Sequence, residues 1–159
     1  MPVHAAMNTA DDSMKAKGFI VTPETYGPTL DVVGTKITVL ASVEQTRGCE
    51  FTLQRGAEGS GPPLHSHGWD EYFFVLKGTI EFTCDGRTTL CKPGALVFIP
   101  ANTMHSFRYG AGGAEMLELA GPGGQAVQMF TAVSKVPFEP ATVPRLIEVL
   151  GQNGVTVAA

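Results

Sequence analysis

The sequence has little of what marks several large classes of protein. Charged residues are only 16% of its 159 residues, the net charge is −4, and basic residues form no patch, which argues against nucleic acid or an anionic membrane as partner. No apolar run approaches the roughly 20 residues that cross a bilayer. The three cysteines are an odd number, which fits reduced thiols. We therefore expect a cytoplasmic protein with no nucleic acid or membrane partner.

The amino-terminal residues also lack a pattern. They have no apolar run behind a positive start, as a signal peptide would, and no helical or strand period. We expect residues 1–17 to be a mobile tail. The hydrophobic fraction of 43% suffices for one sizeable core, so residues 18–159 are predicted to be a single domain.

Two of the cysteines, Cys84 and Cys91, are close enough in sequence to suggest a disulfide. The dipeptide Asp85-Gly86 between them is typical of a two-residue hairpin turn. In that hairpin Cys84 faces Arg87 and Cys91 faces Ile80, so the thiols are not opposite each other. We expect all three cysteines to be free.

Short segments rich in Val, Ile, Phe, Thr and Leu are separated by glycine- and proline-containing turns. This spacing favours an all-β sandwich or barrel. The predicted strands are 36–42, 49–55, 70–77, 79–84, 87–91, 95–100, 104–109, 114–120 and 126–133. The strand at 70–77 is apolar on both faces, which predicts the barrel interior on one side and a second sheet or subunit on the other.

One segment, at the carboxyl terminus, reads as a helix over about 142–152. Thr142 is a candidate cap and Pro144 suits the first turn, while Leu146, Ile147 and Leu150 make one apolar stripe.

The histidines carry the clearest chemical signal. Of four in the chain, His65 and His67 are two residues apart, so they point to the same side of a strand, and Glu71 follows closely. His105 lies on a later predicted strand, and the fourth histidine, His4, falls in the tail. Three neutral imidazoles and one carboxylate suit a first-row divalent metal and leave positions open for water, dioxygen or substrate. Taken alone, His105 would more often be a hydrogen-bonded strand histidine.

Two longer patterns contain these residues. The chain resembles the cupin family in the motifs Gly59-x5-His65-x-His67-x3-Glu71-x6-Gly78 and Gly94-x5-Pro100-x-Asn102-x2-His105. It departs from the family in two positions. Asn102 replaces a glycine, and it tolerates the left-handed turn conformation. Tyr109 replaces an asparagine that is not a ligand.

The resemblance implies an antiparallel jelly-roll β-barrel, a homodimer and a small-molecule substrate. It implies one metal per chain (Fe, Mn, Ni, Cu or Zn) on His65, His67, Glu71 and His105. The chain is similar to small bacterial cupins related to quercetin dioxygenase, which predicts a dioxygenase in which Glu71 is both ligand and catalytic base. The alternatives are a metal-containing binding or sensing cupin and a non-oxidative lyase or isomerase, because the fold hosts many functions.

We expect the substrate pocket to be apolar. The candidate inward residues are Phe73, Phe82, Phe98, Phe107 and Met116. For at least half of them an ordinary place in the barrel core is the alternative. Trp69, between His67 and Glu71, either guards the mouth of the pocket or anchors the surface.

Overall fold

The computed structural model describes residues 17–158, and strands dominate this part of the chain. The predicted tail, residues 1–17, lies outside the described residues except for Lys17, and so does His4. In chain order the strands are β1 (Thr29–Val32), β2 (Thr35–Ala41), β3 (Glu50–Gly56), β4 (His65–His67), β5 (Glu71–Lys77), β6 (Ile80–Cys84), β7 (Arg87–Cys91), β8 (Leu96–Ile99), β9 (His105–Tyr109), β10 (Ala114–Ala120) and β11 (Val155–Val157).

The strands form two antiparallel sheets. One has six strands in the order β1-β2-β3-β10-β5-β8, and the other has five in the order β11-β4-β9-β6-β7. From β3 to β10 the chain repeatedly passes from one sheet to the other, which is the connectivity of a jelly roll. The predicted all-β jelly-roll architecture is therefore confirmed, and the motif strands β4, β5 and β9 are held within it.

Within residues 17–158, three helices accompany the sheets: α1 (Val43–Thr46), α2 (Ala126–Val133) and α3 (Val143–Gln152). Short 3-10 turns occupy Pro23–Thr25 and Pro140–Thr142. The predicted carboxyl-terminal helix is confirmed as α3, where Leu146 and Val149 are buried. In the part of the chain that the structure describes, no helix is long and apolar enough to span a membrane.

Residues 126–133, predicted as a strand, form α2 instead. Four side chains at helical spacing are buried: Ala126, Met129, Phe130 and Val133. The buried carboxylate of Glu50 accepts a hydrogen bond of 2.9 Å from the backbone N–H of Val127, at the start of the helix. Packing and capping of this kind outweigh the strand preference of the residues, because intrinsic propensity is weak beside tertiary contacts.

The buried apolar side chains form two clusters. The barrel cluster includes Phe73, Ile80, Phe82, Phe107 and Met116 and fills the space between the sheets. The helix cluster packs α2 and α3 against the start of the sheet and includes Val32, Ile37, Trp69, Met129 and Phe130. A cavity lies between them, since members of both clusters line it.

The hairpin between β6 and β7 has the predicted register. Ile80 pairs with Cys91 and Cys84 with Arg87. Asp85 and Gly86 have φ values of 49° and 74°, as a two-residue hairpin turn requires. Cys49, Cys84 and Cys91 are all free.

The two faces of β5 differ in chemistry. Glu71, Phe73 and Val75 point inward and are almost fully buried, while Tyr72 and Phe74 are 37% and 41% exposed on the other face. The same outer face of the six-stranded sheet carries more large apolar side chains from neighbouring strands. The outer apolar patch consists of Phe51, Tyr72, Phe74, Leu96 and Phe98.

Candidate metal centre

Three strands bring the four predicted ligands together. His65 and His67 lie on β4, and Glu71 and His105 are the first residues of β5 and β9. His65 pairs directly with His105 across the β4–β9 ladder. The four side chains therefore converge on one place inside the jelly roll, although His105 is 34 residues beyond Glu71 in sequence.

The distances within the group are short. Nε2 of His67 lies 3.0 Å, and Nε2 of His105 3.2 Å, from Oε2 of Glu71. One nitrogen of each of the three imidazoles lies within 4.8 Å of those of the other two. Neighbouring ligands of an octahedral ion, each about 2.1 Å from it, are about 3.0 Å apart, so these separations fit a metal.

Backbone carbonyls fix the orientation of every imidazole. Nδ1 of His65 lies 2.8 Å from the carbonyl oxygen of Pro63. Nδ1 of His67 lies 3.0 Å from the carbonyl oxygen of Trp69, and Nδ1 of His105 lies 2.8 Å from that of Thr103. A carbonyl oxygen can only accept, so each Nδ1 carries the proton and donates it. Each Nε2 is then left as a lone pair directed into the site, which is how metal-binding histidines are held.

This arrangement is incomplete without a cation. With Nδ1 protonated, Nε2 of His67 and His105 and Oε2 of Glu71 are all acceptors facing one another. Neither Nε2 atom has a hydrogen-bond partner within the described chain, although both are buried. Buried acceptors in contact are unfavourable unless a positive charge lies between them. The donor set therefore fits a divalent metal.

The protonation states agree with this role. Burial and the neighbouring His105 lower the pKa of His65 to about 4, so the imidazole is neutral at pH 7. In the metal-free protein burial opposes ionisation of Glu71, but its contacts with His105 and His67 outweigh burial and lower its pKa. The same contact raises the pKa of His105, so a proton shared between the two groups takes the place that a metal cation would fill. A neutral imidazole and an ionised carboxylate are the forms that bind metal.

A second buried carboxyl group, which the motifs do not contain, lies beside the first. Glu118 is on β10, on the same inner face as Glu71, and it accepts hydrogen bonds from Thr52 (2.6 Å) and from Gln54. Burial and the neighbouring Glu71 raise the pKa of Glu118 well above the usual value. The sequence analysis missed this residue. The available signal was strand alternation, because Glu118 is two positions from both Met116 and Ala120 and therefore shares their buried face.

Trp69 supports a ligand and does not guard an opening. Its ring stacks on that of His67, with centroids 4.2 Å apart and an interplanar angle of 11°. Its side chain is 5% exposed and belongs to the helix cluster, so neither sequence-based interpretation holds. Stacking and the carbonyl contact together hold His67 in one orientation.

The cavity opens onto the site. It is lined by His65, Glu71, His105, Glu118 and Gln54 and by apolar residues that include Phe73, Phe107, Met129, Phe130, Val133 and Leu150. Together with its opening to solvent it encloses about 700 Å³. Small-molecule sites are mostly apolar with a few polar groups, and the lining of this cavity has that character.

The predicted pocket residues are placed differently from one another. Phe73 and Phe107 line the cavity, whereas Phe82 and Met116 are packed in the barrel cluster behind it. Phe98 was expected to point inward but is 48% exposed, stacked on Tyr72 in the outer apolar patch. The reason is strand parity, because Ile99 on β8 takes the inward position and is fully buried.

The two departures from the motifs leave the ligands in place. Asn102 has φ 64°, so it adopts the left-handed conformation expected of it, and its N–H donates to His67 O at 2.7 Å. Tyr109 is buried, and its ring lies where a side chain on Gly56 would be, 2.0 Å from an ideal Cβ. It therefore packs the barrel wall away from the four ligands.

Comparison with known proteins now bears on the family. The cupin domain model matches residues 49–119, a range that holds all four predicted ligands. This part of the chain is a cupin domain. Quercetin 2,3-dioxygenase of Bacillus subtilis (strain 168) is 40% identical to this chain over 73 residues, which are 45% of this chain and 22% of that protein. The chain thus matches less than a quarter of the length of this relative.

Solved structures support the cupin fold. KdgF from Halomonas sp. superposes with a TM-score of 0.62 over 70% of this chain and 99% of that one, at 20% identity. The polyketide cyclase RemF from Streptomyces resistomycificus superposes with a TM-score of 0.58 over 66% of this chain and 80% of that one, at 21% identity. At such identities the likeness is one of fold alone.

Proposed function

We propose that this cupin is a metal-dependent dioxygenase acting on an apolar organic molecule that carries hydroxyl or carbonyl oxygens, as quercetin dioxygenases do. The observation that carries the proposal is the convergence of three Nε2 lone pairs and the Glu71 carboxylate at the polar end of an apolar cavity. His65, His67, Glu71 and His105 would hold one Fe, Mn, Ni, Cu or Zn ion. Such an ion, when bound, supplies Lewis acidity and, for the redox-active metals, activation of dioxygen.

The protein's own groups would position the substrate and move its proton. Glu71 directs Oε2 at His67 and His105, so its other carboxylate oxygen is the one that accepts a proton from a substrate hydroxyl. The phenyl rings of Phe73 and Phe107, with Phe130 of α2, surround the organic part of the substrate and exclude water.

The charge of the cavity favours an uncharged substrate over a small carboxylate or phosphate. Of the described residues that line it, none is lysine or arginine. Apart from the metal itself, an anionic group would have no cationic side chain to pair with, and anions in sites are usually bound by such groups. The local similarity to quercetin 2,3-dioxygenase points in the same direction.

The experiment is metal analysis of protein purified without chelators, combined with dioxygen uptake on the same sample over flavonols and small diketones. We expect about one metal per chain and uptake that depends on both metal and substrate. A full equivalent of metal with no uptake would contradict the dioxygenase and support a binding or sensing cupin, a lyase or an isomerase. Absence of metal even after reconstitution would contradict the metal site.

We also propose that two copies associate through the outer apolar patch. Its five large side chains lie on strands β3, β5 and β8 of one sheet and are between 36% and 66% exposed. Monomeric proteins seldom expose a contiguous apolar surface of more than a few hundred Å². A second copy brings the same patch, and a two-fold axis would bury both.

The free thiols of the three cysteines are in keeping with a cytoplasmic location.

A further inference from the structure

Two walls of different origin enclose the cavity beside the metal centre. One wall comes from the barrel cluster and carries the rings of Phe73 and Phe107. The other comes from the helix cluster and carries Met129, Phe130 and Val133 of α2. The cupin domain model ends at residue 119, so the α2 wall lies outside the matched range. A ligand in the cavity meets both walls, and only the first is part of the matched domain.

The α2 wall is fixed to the rest of the molecule at both of its flanks. The N–H of Val127, in the first turn of α2, donates to the buried carboxylate of Glu50 at 2.9 Å. Towards α3, the side-chain amide of Gln128 donates to the side chain of Asn153, the residue that follows α3, at 3.4 Å. A helix held by packing and by such hydrogen bonds presents a wall of fixed position to the cavity.

Phe130 is the largest side chain of the α2 wall. It is 8% exposed, and it both packs in the helix cluster and lines the cavity. Protein interiors are close-packed, so a buried ring of this kind does not move aside for a ligand without a loss of packing. A ligand that extends from the metal towards α2 is therefore stopped at this ring.

We propose that Phe130 is a specificity-determining residue that sets the greatest length of the organic part accepted beyond the oxygen held at the metal. The substrates would then be uncharged molecules with one oxygen-bearing end and an apolar body that ends at α2. Molecules with a longer body would be rejected. This deepens the proposed function and rests on it, because it uses the same cavity and the same metal.

The rings of the barrel wall are not placed to select by length. Phe73 lies two positions after Glu71 on β5, and Phe107 lies two positions after His105 on β9. Residues two apart on a strand share a face, so each ring stands next to a predicted metal ligand. Every molecule held at the metal meets these rings, whatever its length. Phe130 belongs to the other wall, so only a body long enough to cross the cavity meets it.

The test is calorimetric titration of the zinc-loaded protein with a series of 4-alkylphenols, from 4-methylphenol to 4-heptylphenol. Zinc has no redox chemistry, so binding is measured without turnover. The hydroxyl and the ring are the same throughout the series, so only the length of the apolar body changes. Each CH2 group that becomes buried raises the affinity by about fourfold. The readout is the end point, defined as the alkyl chain length at which this rise stops.

The deciding variant is Phe130→Ala, which removes the ring and leaves space at the α2 wall. In the wild-type protein we expect the rise to stop within the series and the affinity of the longer members to fall. In Phe130→Ala the rise should continue for about two further CH2 groups, which corresponds to about a tenfold gain in affinity for the long members. General damage to the fold does not produce tighter binding. An unchanged end point in Phe130→Ala, or a wild-type rise that does not stop, would overturn the proposal.

Two control variants separate the ring of Phe130 from its surroundings. Phe138→Ala makes the same change at a ring that is 60% exposed between α2 and α3. Val149→Ala loosens the helix cluster at a buried residue of α3 that is not one of the described residues lining the cavity. Both should keep the wild-type end point, and a shift in either as large as in Phe130→Ala would also overturn the proposal. If zinc content and circular dichroism show that Phe130→Ala does not fold, Phe130→Leu replaces it, with a smaller shift in the same direction.

The result separates the two proposals. If the end point moves with Phe130 but no compound supports dioxygen uptake, this inference stands and the dioxygenase fails. If uptake is observed while the end point is insensitive to Phe130, the dioxygenase stands and this inference fails. If the protein takes up no zinc, the metal site fails, and the series is titrated into the metal-free protein, whose cavity has the same α2 wall.

Discussion

The inner and outer faces of the six-stranded sheet reverse the usual distribution of side chains. The inner face buries a polar row made of Glu71, Glu118, Thr52 and Gln54, whereas the outer face exposes the large apolar side chains of the outer apolar patch. Globular domains generally bury apolar groups and expose polar ones. Each exception has its own reason here: the buried polar groups face a ligand site, and the exposed apolar groups are expected to face a second copy.

The inner face is expected to carry metal and ligand binding, and the outer face to carry association with a second copy. A substitution on the inner face is expected to change metal or ligand binding, and one on the outer face to change association. If the two faces are independent, each class of substitution leaves the other property intact.

The largest effect is expected from His67→Ala. Removing one imidazole leaves the other ligands with an incomplete set, so we expect metal affinity to fall by more than about 100-fold and the purified protein to contain almost no metal. Metal analysis by mass spectrometry measures this. The matched control is Ser66→Ala on the same strand β4, which should retain one equivalent; a full equivalent in His67→Ala would refute the assignment of His67.

Glu71→Gln should separate catalysis from metal binding. An amide still coordinates weakly but cannot accept a proton, so we expect turnover per bound metal to fall about 100-fold or more while metal content falls much less. Initial rates normalised to metal content measure it. The exposed Glu81→Gln on β6 is the control. If rate and metal content fall in parallel, Glu71 is a ligand without a role as base.

On the outer face, Phe98→Glu should change the mass of the particle. A charge in an apolar contact that is buried twice by symmetry costs free energy in both copies, so we expect the dimer to become a monomer, with a twofold lower mass. Sedimentation or light scattering measures the mass, and metal content should stay at one per chain. Thr88→Glu on the exposed strand β7 is the control. A wild-type protein that is monomeric at high concentration would contradict this assignment of the patch.

A smaller effect concerns the metal-free protein. Burial lowers the pKa of His65 to about 4, so this imidazole stays neutral down to that pH, whereas in the unfolded chain it titrates near its ordinary value. A lowered pKa means that the unfolded state binds the proton first, so His65 makes the fold progressively less stable as pH falls from about 6.5 to about 4. Imidazole nitrogen chemical shifts in a pH titration report the value directly. Titration of His65 near 6.5 would show that the site is open to water.

The sequence predicted more of the site than of its surroundings. Three of the predicted ligands (His65, His67 and Glu71), the Asp85-Gly86 hairpin and α3 follow from residue spacing within a few positions, and His105 follows from the second motif. Glu118 could not be found in this way. It belongs to no motif, and its role depends on a neighbour nearly fifty residues earlier in the chain that pairing of β10 with β5 brings alongside.

Two errors have the same origin. Residues 126–133 became a helix because contacts with the barrel and the Glu50 carboxylate favour it, and Phe98 turned outward because Ile99 fills the inner position. Neither contact exists within a short stretch of sequence. Period and propensity describe a segment's own preferences, which distant contacts override when burial is at stake.

By itself, then, the sequence determined the strand-and-turn pattern and the identity of the four groups able to hold a metal, since those depend on residue type and near spacing. Only the tertiary structure decided that the Nε2 lone pairs converge, that a second carboxyl stands beside Glu71, and which aromatic rings reach the cavity. Those features depend on strand register and on the face of the sheet that each side chain occupies. Burial of the hydrophobic core determines both at once.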